Sequence, residues 1–276
     1  MTRYALITGA SSGIGLAMAE ALARRGRSLI LLARQRDQLE NIAIELTQRF
    51  GVEVLFRACD LGEPLRLSGF LLELEEGDRQ IDLLVNCAGI GTCGPFLAQD
   101  WMTEQDLIEV NILALTRLCH AIGNSMALQG GGQILNVASV AAFNPGPWMS
   151  TYYASKAYVL HFSEGLRVEL KKCAVKVSVL CPGPTRTAFF RTAQLDTEKL
   201  TSSNLLMSPE EVALYTVRAL DKNRAIIIPG RRNRWFAFLP RLGSRWLTRT
   251  IVGMVNKGLL PALTHLGQRA GRGHVA

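Results

Sequence analysis

The stretch "STYYASKAY", residues 150–158, places three tyrosines beside one lysine. A tyrosine hydroxyl can give or take a proton, and a nearby ammonium group lowers its pKa from an unperturbed value of about 10. Residues three or four positions apart share a face of a helix. Tyr152 and Tyr153 precede Lys156 by four and three positions, whereas Tyr158 follows it by two. The spacing therefore favours Tyr152 or Tyr153 as an acid–base group and does not separate them.

A second candidate site is the turn "TGASSGIG" at residues 8–15. Its glycines, Gly9, Gly13 and Gly15, allow a sharp turn and a close approach of the backbone to a ligand. A helix is predicted directly after the turn, and the free N–H groups at a helix start bind phosphate groups. The turn therefore predicts a nucleotide site, with a tight strand–helix connection packed through its glycines as the alternative.

Seven short apolar segments must position these groups, and helical patterns such as residues 15–26 and 105–126 lie between them. Apolar strands separated by helices indicate a parallel sheet covered on both faces, and right-handed crossovers then give an α/β, Rossmann-like doubly wound fold. Ser139 ends the fifth segment, at the carboxyl edge where open α/β sheets bind ligands. The predicted strands are residues 4–8, 28–33, 52–58, 81–86, 132–139, 175–181 and 225–229.

The composition is that of an ordinary globular chain, with 276 residues, 48% hydrophobic and 20% charged. Six cysteines without paired spacing indicate buried thiols in a reducing compartment. With neither a secretory signal nor an apolar run of 18 residues, we expect a cytoplasmic protein. The four histidines show no spacing typical of metal ligands, so no metal site is expected.

The net charge of +8 is concentrated near the C-terminus. From Lys222 onward there are 11 of the 31 basic residues and none of the 23 acidic ones. The first 221 residues thus hold 31 less 11, or 20, basic side chains against 23 acidic ones. This balance argues against a nucleic-acid surface on the body of the protein.

Several short motifs follow one another at characteristic intervals. After "TGASSGIG" come Asp60 in "CDL", then "NCAG" at residues 86–89, and later "PGPTRT" at residues 182–187. Together they resemble the classical short-chain dehydrogenase/reductase family over residues 3 to about 230, with Cys87 in place of the second Asn of the family's N-N-A-G motif. The family's four catalytic positions are matched by Asn111, Ser139, Tyr152 and Lys156.

The resemblance implies a role for each site residue. The family motif Y-x-x-x-K selects Tyr152 as the group that exchanges a proton with the substrate oxygen. Ser139 would hydrogen-bond that oxygen, and Lys156 would hold the nicotinamide ribose while lowering the pKa of Tyr152. Asn111 would hold a water that links Lys156 to solvent, or else bond a nearby backbone group. The implied cofactor contacts are Gly9, Ser11, Ser12, Gly13, Ile14, Gly15, Arg34, Asp60, Asn86, Ala88, Gly89, Tyr152, Lys156, Pro182, Gly183, Thr185 and Thr187.

The end of the second predicted strand bears on the choice of nicotinamide cofactor. Relatives that prefer NAD carry an acidic residue there, but this chain has Ala33 followed by Arg34. A guanidinium group matches a phosphate, which favours NADP(H) over NAD(H), and Arg36 is a second candidate contact. Asp37 is placed at the start of the next helix. The alternative is that Arg34 merely begins that helix in solvent.

The segments expected around the substrate are apolar: residues 89–96, 145–149, and the start of 188–207 with Phe189 and Phe190. They predict a lipophilic substrate such as a long-chain or ring ketone or a 3-oxoacyl thioester. The expected function is an NADP(H)-dependent oxidoreductase that interconverts a carbonyl and an alcohol. The alternatives are a nucleotide-binding regulator of the same fold and a membrane-peripheral interaction protein, both without turnover.

Residues 231–276 are predicted to form an extension appended to a catalytic domain of residues 1–230. Arginines at 241, 245 and 249 form a basic stripe, and Trp246 and Ile251 contribute to an apolar side. A basic amphipathic helix with tryptophans suits a membrane surface. The alternative is an extension packed on its own domain or on a partner subunit. By resemblance we expect a homodimer or homotetramer formed through the helices at 105–126 and 150–172.

Overall fold

The computed structural model describes residues 2–77, 79–193, 195, 206–238 and 244–260. Seven parallel strands form one sheet in the order β3-β2-β1-β4-β5-β6-β7. The predicted doubly wound α/β fold is thereby confirmed. The strands are β1 Arg3–Thr8, β2 Ser28–Ala33, β3 Val54–Ala58, β4 Gln80–Asn86, β5 Gly132–Val137, β6 Val175–Leu180 and β7 Ile226–Ile227.

Two helical layers cover the sheet because its strands are apolar on both faces. In β1, every residue from Tyr4 to Thr8 is buried. One layer holds α1, α2 and α8, and the other holds α3, α5 and α6. The helices are α1 Gly13–Ala23, α2 Arg36–Phe50, α3 Pro64–Glu76, α4 Trp101–Ile108, α5 Leu115–Leu128, α6 Ser150–Glu169, α7 Phe189–Thr192, α8 Pro209–Asp221, α9 Arg231–Phe238 and α10 Arg245–Gly258.

The strand order reverses between β1 and β4, which leave the sheet side by side. Chains that follow such neighbouring strands depart to opposite faces, and the crevice between them is where ligands of open α/β sheets bind. Thr8 ends β1 and Asn86 ends β4. The glycine turn and the N-C-A-G segment therefore meet at this crevice.

The predicted helix at 105–126 is interrupted by a wider turn. A π-helical turn over Glu109–Ala114 joins α4 to α5, and Asn111 lies within it. Such turns are rare and often occur at functional sites, because the extra residue changes the direction of the side chains in the turn. The sequence pattern predicted the helix but not this turn.

Part of the C-terminal segment packs on the sheet domain. The side chain of Asn233 in α9 is buried, and its amide donates to the Pro229 carbonyl at 2.7 Å. Ala237 belongs to the main hydrophobic core. Helix α10 leaves Trp246, Ile251 and other apolar side chains exposed. No helix within the described ranges is long and apolar enough to span a bilayer.

Candidate active site

The three tyrosines of the opening stretch lie on α6 and face different surroundings. Tyr152 is 9% exposed and packs among apolar side chains at the carboxyl edge of the sheet. The Tyr153 hydroxyl donates to Asn256 Oδ1 of α10 at 3.2 Å. The Tyr158 hydroxyl lies 2.9 Å from Thr116 Oγ1 on the outer surface. The structure thus separates Tyr152 from Tyr153, which spacing could not do.

Lys156 lies one helical turn after Tyr152 and is 5% exposed. Its ammonium group donates to the Val137 carbonyl at the end of β5, at 3.0 Å, and lies 5.8 Å from the centre of the Tyr152 ring. A methyl group built on Gly89 would be 3.2 Å from Lys156 Nζ and 3.2 Å from Asn111 Oδ1. Gly89 is therefore the position around which Lys156 and Asn111 converge.

Asn111 fixes the backbone directly after the N-C-A-G segment. Its side chain accepts from Ile90 N at 3.0 Å and donates to Ile90 O at 2.9 Å. It also donates to Ser155 Oγ at 3.0 Å, and Ser155 in turn donates to the Tyr152 carbonyl at 2.7 Å. Backbone bonding, the alternative for Asn111, is what the structure describes. The water-holding role stays a prediction.

Burial controls the protonation of the tyrosine–lysine pair. It raises the pKa of Tyr152, and an interaction with the Ser139 side chain only partly offsets this. Burial likewise lowers the pKa of Lys156 from 10.5 to about 8. The sequence predicted a lowered pKa for Tyr152, and that prediction is wrong for this structure. The pKa of Tyr152 is raised because burial disfavours the charged tyrosinate.

Ser139 lies two residues beyond the end of β5 rather than at its last position. It precedes a short 3-10 helix, Val140–Phe143, and its Oγ accepts from Ala141 N at 3.1 Å. That bond orients a hydroxyl which also interacts with Tyr152. Ser139 and Tyr152 can therefore both face one polar atom of a bound molecule.

The glycine turn is built around left-handed backbone conformations. Gly9 has φ +65° and Gly13 has φ +56°, which a residue with a Cβ adopts at a cost. A methyl group on Gly9 would lie 2.9 Å from Ala88 Cα, and one on Gly13 would lie 3.0 Å from Thr187 Cγ2. The turn thus lies directly against the N-C-A-G segment and the segment after the P-G turn.

The start of α1 fits an anionic group. Ser12 precedes the helix, and in this described part of the chain its side chain accepts no hydrogen bond from the first turn. The first-turn amides are thereby left for another acceptor, which phosphate oxygens can supply. Ser11, Ile14 and Gly15 belong to the same turn, so all six predicted contacts there lie together.

Thr8 was not predicted to belong to the site. Its hydroxyl accepts from the backbone amides of Cys87 and Ala88, both at 3.0 Å. It therefore holds the N-C-A-G segment against the end of β1. A hydroxyl residue immediately before the first glycine of the turn was the available signal.

The second strand ends at Ala33, as predicted, and Arg34 follows it in an exposed position. Helix α2 begins at Arg36 and has Asp37 in its first turn. Nearby, Gln38 donates to the Ser11 carbonyl at 2.9 Å, which ties α2 to the glycine turn. Arg34 is therefore free to meet a group bound beside that turn.

Two other predicted cofactor contacts are engaged inside the protein. Asn86 is buried and donates to Asn136 Oδ1 at 2.9 Å, so its side chain ties β4 to β5. Asp60 Oδ1 accepts from Gly62 N at 2.9 Å and shapes the turn after β3. Either residue could contact a cofactor only with the groups left over from these bonds.

The P-G turn lies next to Ser139. The Pro182 carbonyl accepts from Val140 N at 3.0 Å, next to Ser139. Gly183 lies directly against the Asn233 side chain, and Thr185 Oγ1 donates to the Gly183 carbonyl at 2.9 Å. Of the predicted contacts in this segment, Thr187 lies beside Gly13 of the glycine turn, while Pro182, Gly183 and Thr185 stay predictions.

An apolar cluster, which we call the apolar wall, surrounds Tyr152. The Phe189 ring lies 5.2 Å from the Tyr152 ring, centre to centre, and a methyl group on Gly91 would be 2.6 Å from Phe189. Leu259 and Leu260, which follow α10, pack against the same cluster. Other members are Ile90, Cys93, Leu107, Ala141, Met149, Tyr153, Phe190, Ala193 and Leu195.

Comparison with known proteins places this geometry in a family. A family model described as short chain dehydrogenase matches residues 3–198. The chain belongs to the short-chain dehydrogenase family. It is therefore an NAD(P)-dependent oxidoreductase acting on CH–OH and C=O groups, and the predicted nicotinamide cofactor and enzyme class are confirmed.

Three members of the short-chain dehydrogenase family illustrate the range of relatives. Sulfoacetaldehyde reductase 2 of Chromohalobacter salexigens is 35% identical over 254 residues, 86% of this chain and 98% of that protein. A short-chain dehydrogenase from Sphingobium yanoikuyae, solved in complex with NADPH, is 35% identical with a TM-score of 0.79, covering 87% of this chain and 93% of that one. The bulky-bulky ketone specific alcohol dehydrogenase from Comamonas testosteroni is 30% identical with a TM-score of 0.74, covering 98% of both.

Proposed function

We propose that this short-chain dehydrogenase reduces bulky, apolar ketones with NADPH, using Tyr152 as the proton donor. The observation that carries the proposal is the convergence of Tyr152, Ser139 and Lys156 at an apolar wall. Reduction of a ketone needs a hydride on carbon and a proton on oxygen, and the bound cofactor supplies the hydride. The residues of the chain supply the rest.

Tyr152 suits the reductive direction. Because burial raises its pKa, the hydroxyl is protonated at neutral pH and is a donor. As negative charge develops on the substrate oxygen, the proton moves from Tyr152 to that oxygen. Ser139 donates a second hydrogen bond to the same oxygen and orients it. The Lys156 ammonium group then stabilises the tyrosinate that remains.

The support for NADPH lies beside the glycine turn. Arg34 is exposed directly after β2, where a guanidinium group can meet a phosphate on the adenine ribose. Within residues 33–36, at the end of β2 and the start of α2, there is no acidic side chain that would repel it. The Sphingobium relative, which is solved with NADPH, supports the same choice.

The support for a bulky, apolar substrate comes from the wall around Tyr152. Phe189, Phe190 and Met149 contribute large apolar side chains to one cluster. A polar substrate would lose hydration there without gaining partners. The bulky-bulky ketone specific alcohol dehydrogenase from Comamonas testosteroni covers nearly the whole chain and favours the same substrate class.

The first experiment is NADPH oxidation against ring ketones, long-chain ketones, 3-oxoacyl thioesters and a short anionic aldehyde. It is run with the wild type, Tyr152→Phe and Tyr153→Phe. We expect bulky ketones to be reduced, and Tyr152→Phe to lower kcat by about 10²–10⁴-fold, the usual contribution of a general acid. Tyr153→Phe should retain kcat; the two variants are compared on kcat and not on KM, because the Tyr153 hydroxyl bonds Asn256.

Three outcomes would contradict the proposal. Equal loss in both tyrosine variants would remove Tyr152 from its assigned role. Reduction of the anionic aldehyde alone would overturn the substrate class. NADPH binding without turnover on any substrate would favour the alternative of a nucleotide-binding regulator.

The variant Arg34→Asp tests the choice of cofactor. We expect its kcat/KM for NADPH to fall by about 10–100-fold, the range of a lost charge-assisted hydrogen bond, and its kcat/KM for NADH to rise.

A further inference from the structure

Helix α10 contacts the loop beside the candidate active site through one buried polar residue. Asn256 is 3% exposed and is the one buried residue of α10, whose residues 245–258 are all described. Its amide nitrogen donates to the Pro147 carbonyl at 2.9 Å, and its Oδ1 accepts from the Tyr153 hydroxyl at 3.2 Å. Both partners flank Tyr152 in the chain.

We call residues 144–149 the cover loop, because they lead from the Ser139 segment into α6 over the apolar wall. Trp148 has φ +69°, a left-handed conformation that is rare for a bulky side chain and persists only where neighbours hold it. The Trp148 carbonyl accepts from Gly94 N at 2.8 Å, and Met149 N donates to the Gly146 carbonyl at 3.0 Å. The loop is therefore strained and depends on its contacts.

Further contacts with α10 fix the same loop. The Lys257 ammonium group lies 5.8 Å from the centre of the Trp148 ring. Gly253 lies close to Pro147, since a methyl group built on it would be 3.3 Å from Pro147 Cγ. Three residues of α10 on one face thus contact two neighbouring residues of the cover loop.

Beyond the end of α10 the chain reaches the apolar wall. Leu259 and Leu260 are partly buried against the cluster that contains Tyr152, Met149 and Ala193. Their amides donate to Asn256 and Lys257 carbonyls at 3.1 and 3.2 Å, so the two leucines are held at a defined position after the helix. The C-terminal segment therefore adds apolar side chains to the wall.

We propose that residues 245–260 form a fixed cover that determines which substrates the pocket admits. Asn256 is the positioning residue: it holds the cover loop in its strained conformation through Pro147 and Tyr153. Leu259 and Leu260 form part of the surface against which a bulky apolar substrate packs. This inference rests on the proposed function for its substrate class but not for the coupling between α10 and the loop.

The kinetic test compares the wild type with Asn256→Ala and Leu259→Ala, and Met254→Ala is the control because Met254 is exposed on the same helix. Displacing a substrate-positioning element by about 1 Å can cost on the order of 100-fold in rate. We expect both test variants to raise KM for a bulky ketone by at least about tenfold. The KM for NADPH and the kcat/KM for a short aldehyde should stay within about twofold.

A second test needs no turnover. Hydrogen exchange is measured at the amides of Gly94 and Met149 in the wild type, Asn256→Ala and Met254→Ala. We expect at least about tenfold faster exchange in Asn256→Ala only. Without the two hydrogen bonds of Asn256, the backbone hydrogen bonds of the cover loop should open more often. If the wild type reduced no ketone, the proposed function would fail while this result still decided the coupling.

Three results would overturn the inference. The first is unchanged exchange together with unchanged discrimination between bulky and short substrates in Asn256→Ala. The second is an equal loss of activity on every substrate, which would mean that α10 only stabilises the fold. The third is faster exchange in the Met254→Ala control, which would mean that Asn256 has no special role.

Discussion

At the residue scale, Lys156 combines a charge with almost complete burial. Its ammonium group makes a hydrogen bond to the Val137 carbonyl, but burial still lowers its pKa from 10.5 to about 8. At pH values between these two pKa values, Lys156 is protonated in the unfolded chain but not in the folded protein. The free energy of unfolding therefore rises as the pH increases from 8 towards 10.5, and below pH 8 the buried charge destabilises the fold.

Replacing Lys156 by methionine should expose this conflict between stability and function. At pH 7 we expect Lys156→Met to increase the free energy of unfolding by up to roughly 3 kcal/mol, since each pKa unit corresponds to 1.36 kcal/mol. The gain should shrink towards pH 10, and turnover should be lost. Urea unfolding at pH 7 and pH 10 measures the difference.

The control for this prediction is Lys171→Met, because Lys171 is exposed and its neutralisation should change stability little. A Lys156→Met protein that is less stable than the wild type at pH 7 would contradict the prediction. A stability difference that does not depend on pH would do the same.

At the scale of elements, the turn between β1 and α1 has little room for any side chain. Gly9 needs both a left-handed backbone and space beside Ala88. Gly26, at the other end of α1, has a similar φ of +77°, but a methyl group there would meet no atom within 4 Å. The two glycines therefore separate backbone strain from steric contact.

Gly9→Ala and Gly26→Ala form a matched pair. Both should lose about 1–2 kcal/mol of unfolding free energy from the left-handed conformation. Only Gly9→Ala should also push the N-C-A-G segment away and raise the Kd for NADPH by at least about tenfold. Fluorescence titration with NADPH and urea unfolding check the two parts separately.

An equal loss of NADPH affinity in Gly26→Ala would contradict this interpretation of the turn. So would a Gly9→Ala protein that binds NADPH as the wild type does. In the first case, backbone strain on either side of α1 would be enough to weaken NADPH binding. In the second, the contact with Ala88 would be unimportant for the cofactor.

At the scale of the whole molecule, the C-terminal segment has two parts with different surroundings. Helix α9 inserts Ala237 into the main core and places Asn233 against Gly183. Helix α10 is largely exposed and contacts the cover loop. The boundary that the sequence predicted at residue 230 stays a prediction, and these contacts give a way to test it.

Two truncations separate the parts. A chain ending at Phe238 keeps α9, so we expect it to fold, to bind NADPH, and to lose discrimination between bulky and short ketones. A chain ending at Gly230 exposes the core where Ala237 packed and should fold poorly. Circular dichroism and NADPH titration of both chains would show this. A well-folded chain ending at Gly230 would support the predicted boundary.

Assembly and membrane contact stay predictions. Leu113 and Val168 are exposed on the helices through which a dimer or tetramer was expected. Trp246 and Ile251 are exposed on α10, where membrane contact was expected, while the stripe's Arg241 and the chain beyond residue 260 lie outside the described residues. Light scattering and vesicle sedimentation would decide these points.

The sequence by itself determined the framework of this protein. Seven apolar segments alternate with helices along the chain. A parallel, doubly wound sheet is the arrangement that buries both faces of such strands. The glycine turn and the Tyr152–Lys156 spacing follow from local geometry, since turns and helix faces depend on residues close in the chain. These features were accordingly predictable from a single sequence.

Only the tertiary structure decided which groups act together. Tyr152 and Tyr153 differ because α6 packs with one facing the sheet edge and the other facing Asn256, which is 103 residues away. The pKa of Tyr152 is raised rather than lowered because burial depends on everything packed around it. The bond between Thr8 and Ala88 of the N-C-A-G segment spans 80 residues. Such contacts join distant segments, and no local pattern in the sequence encodes them.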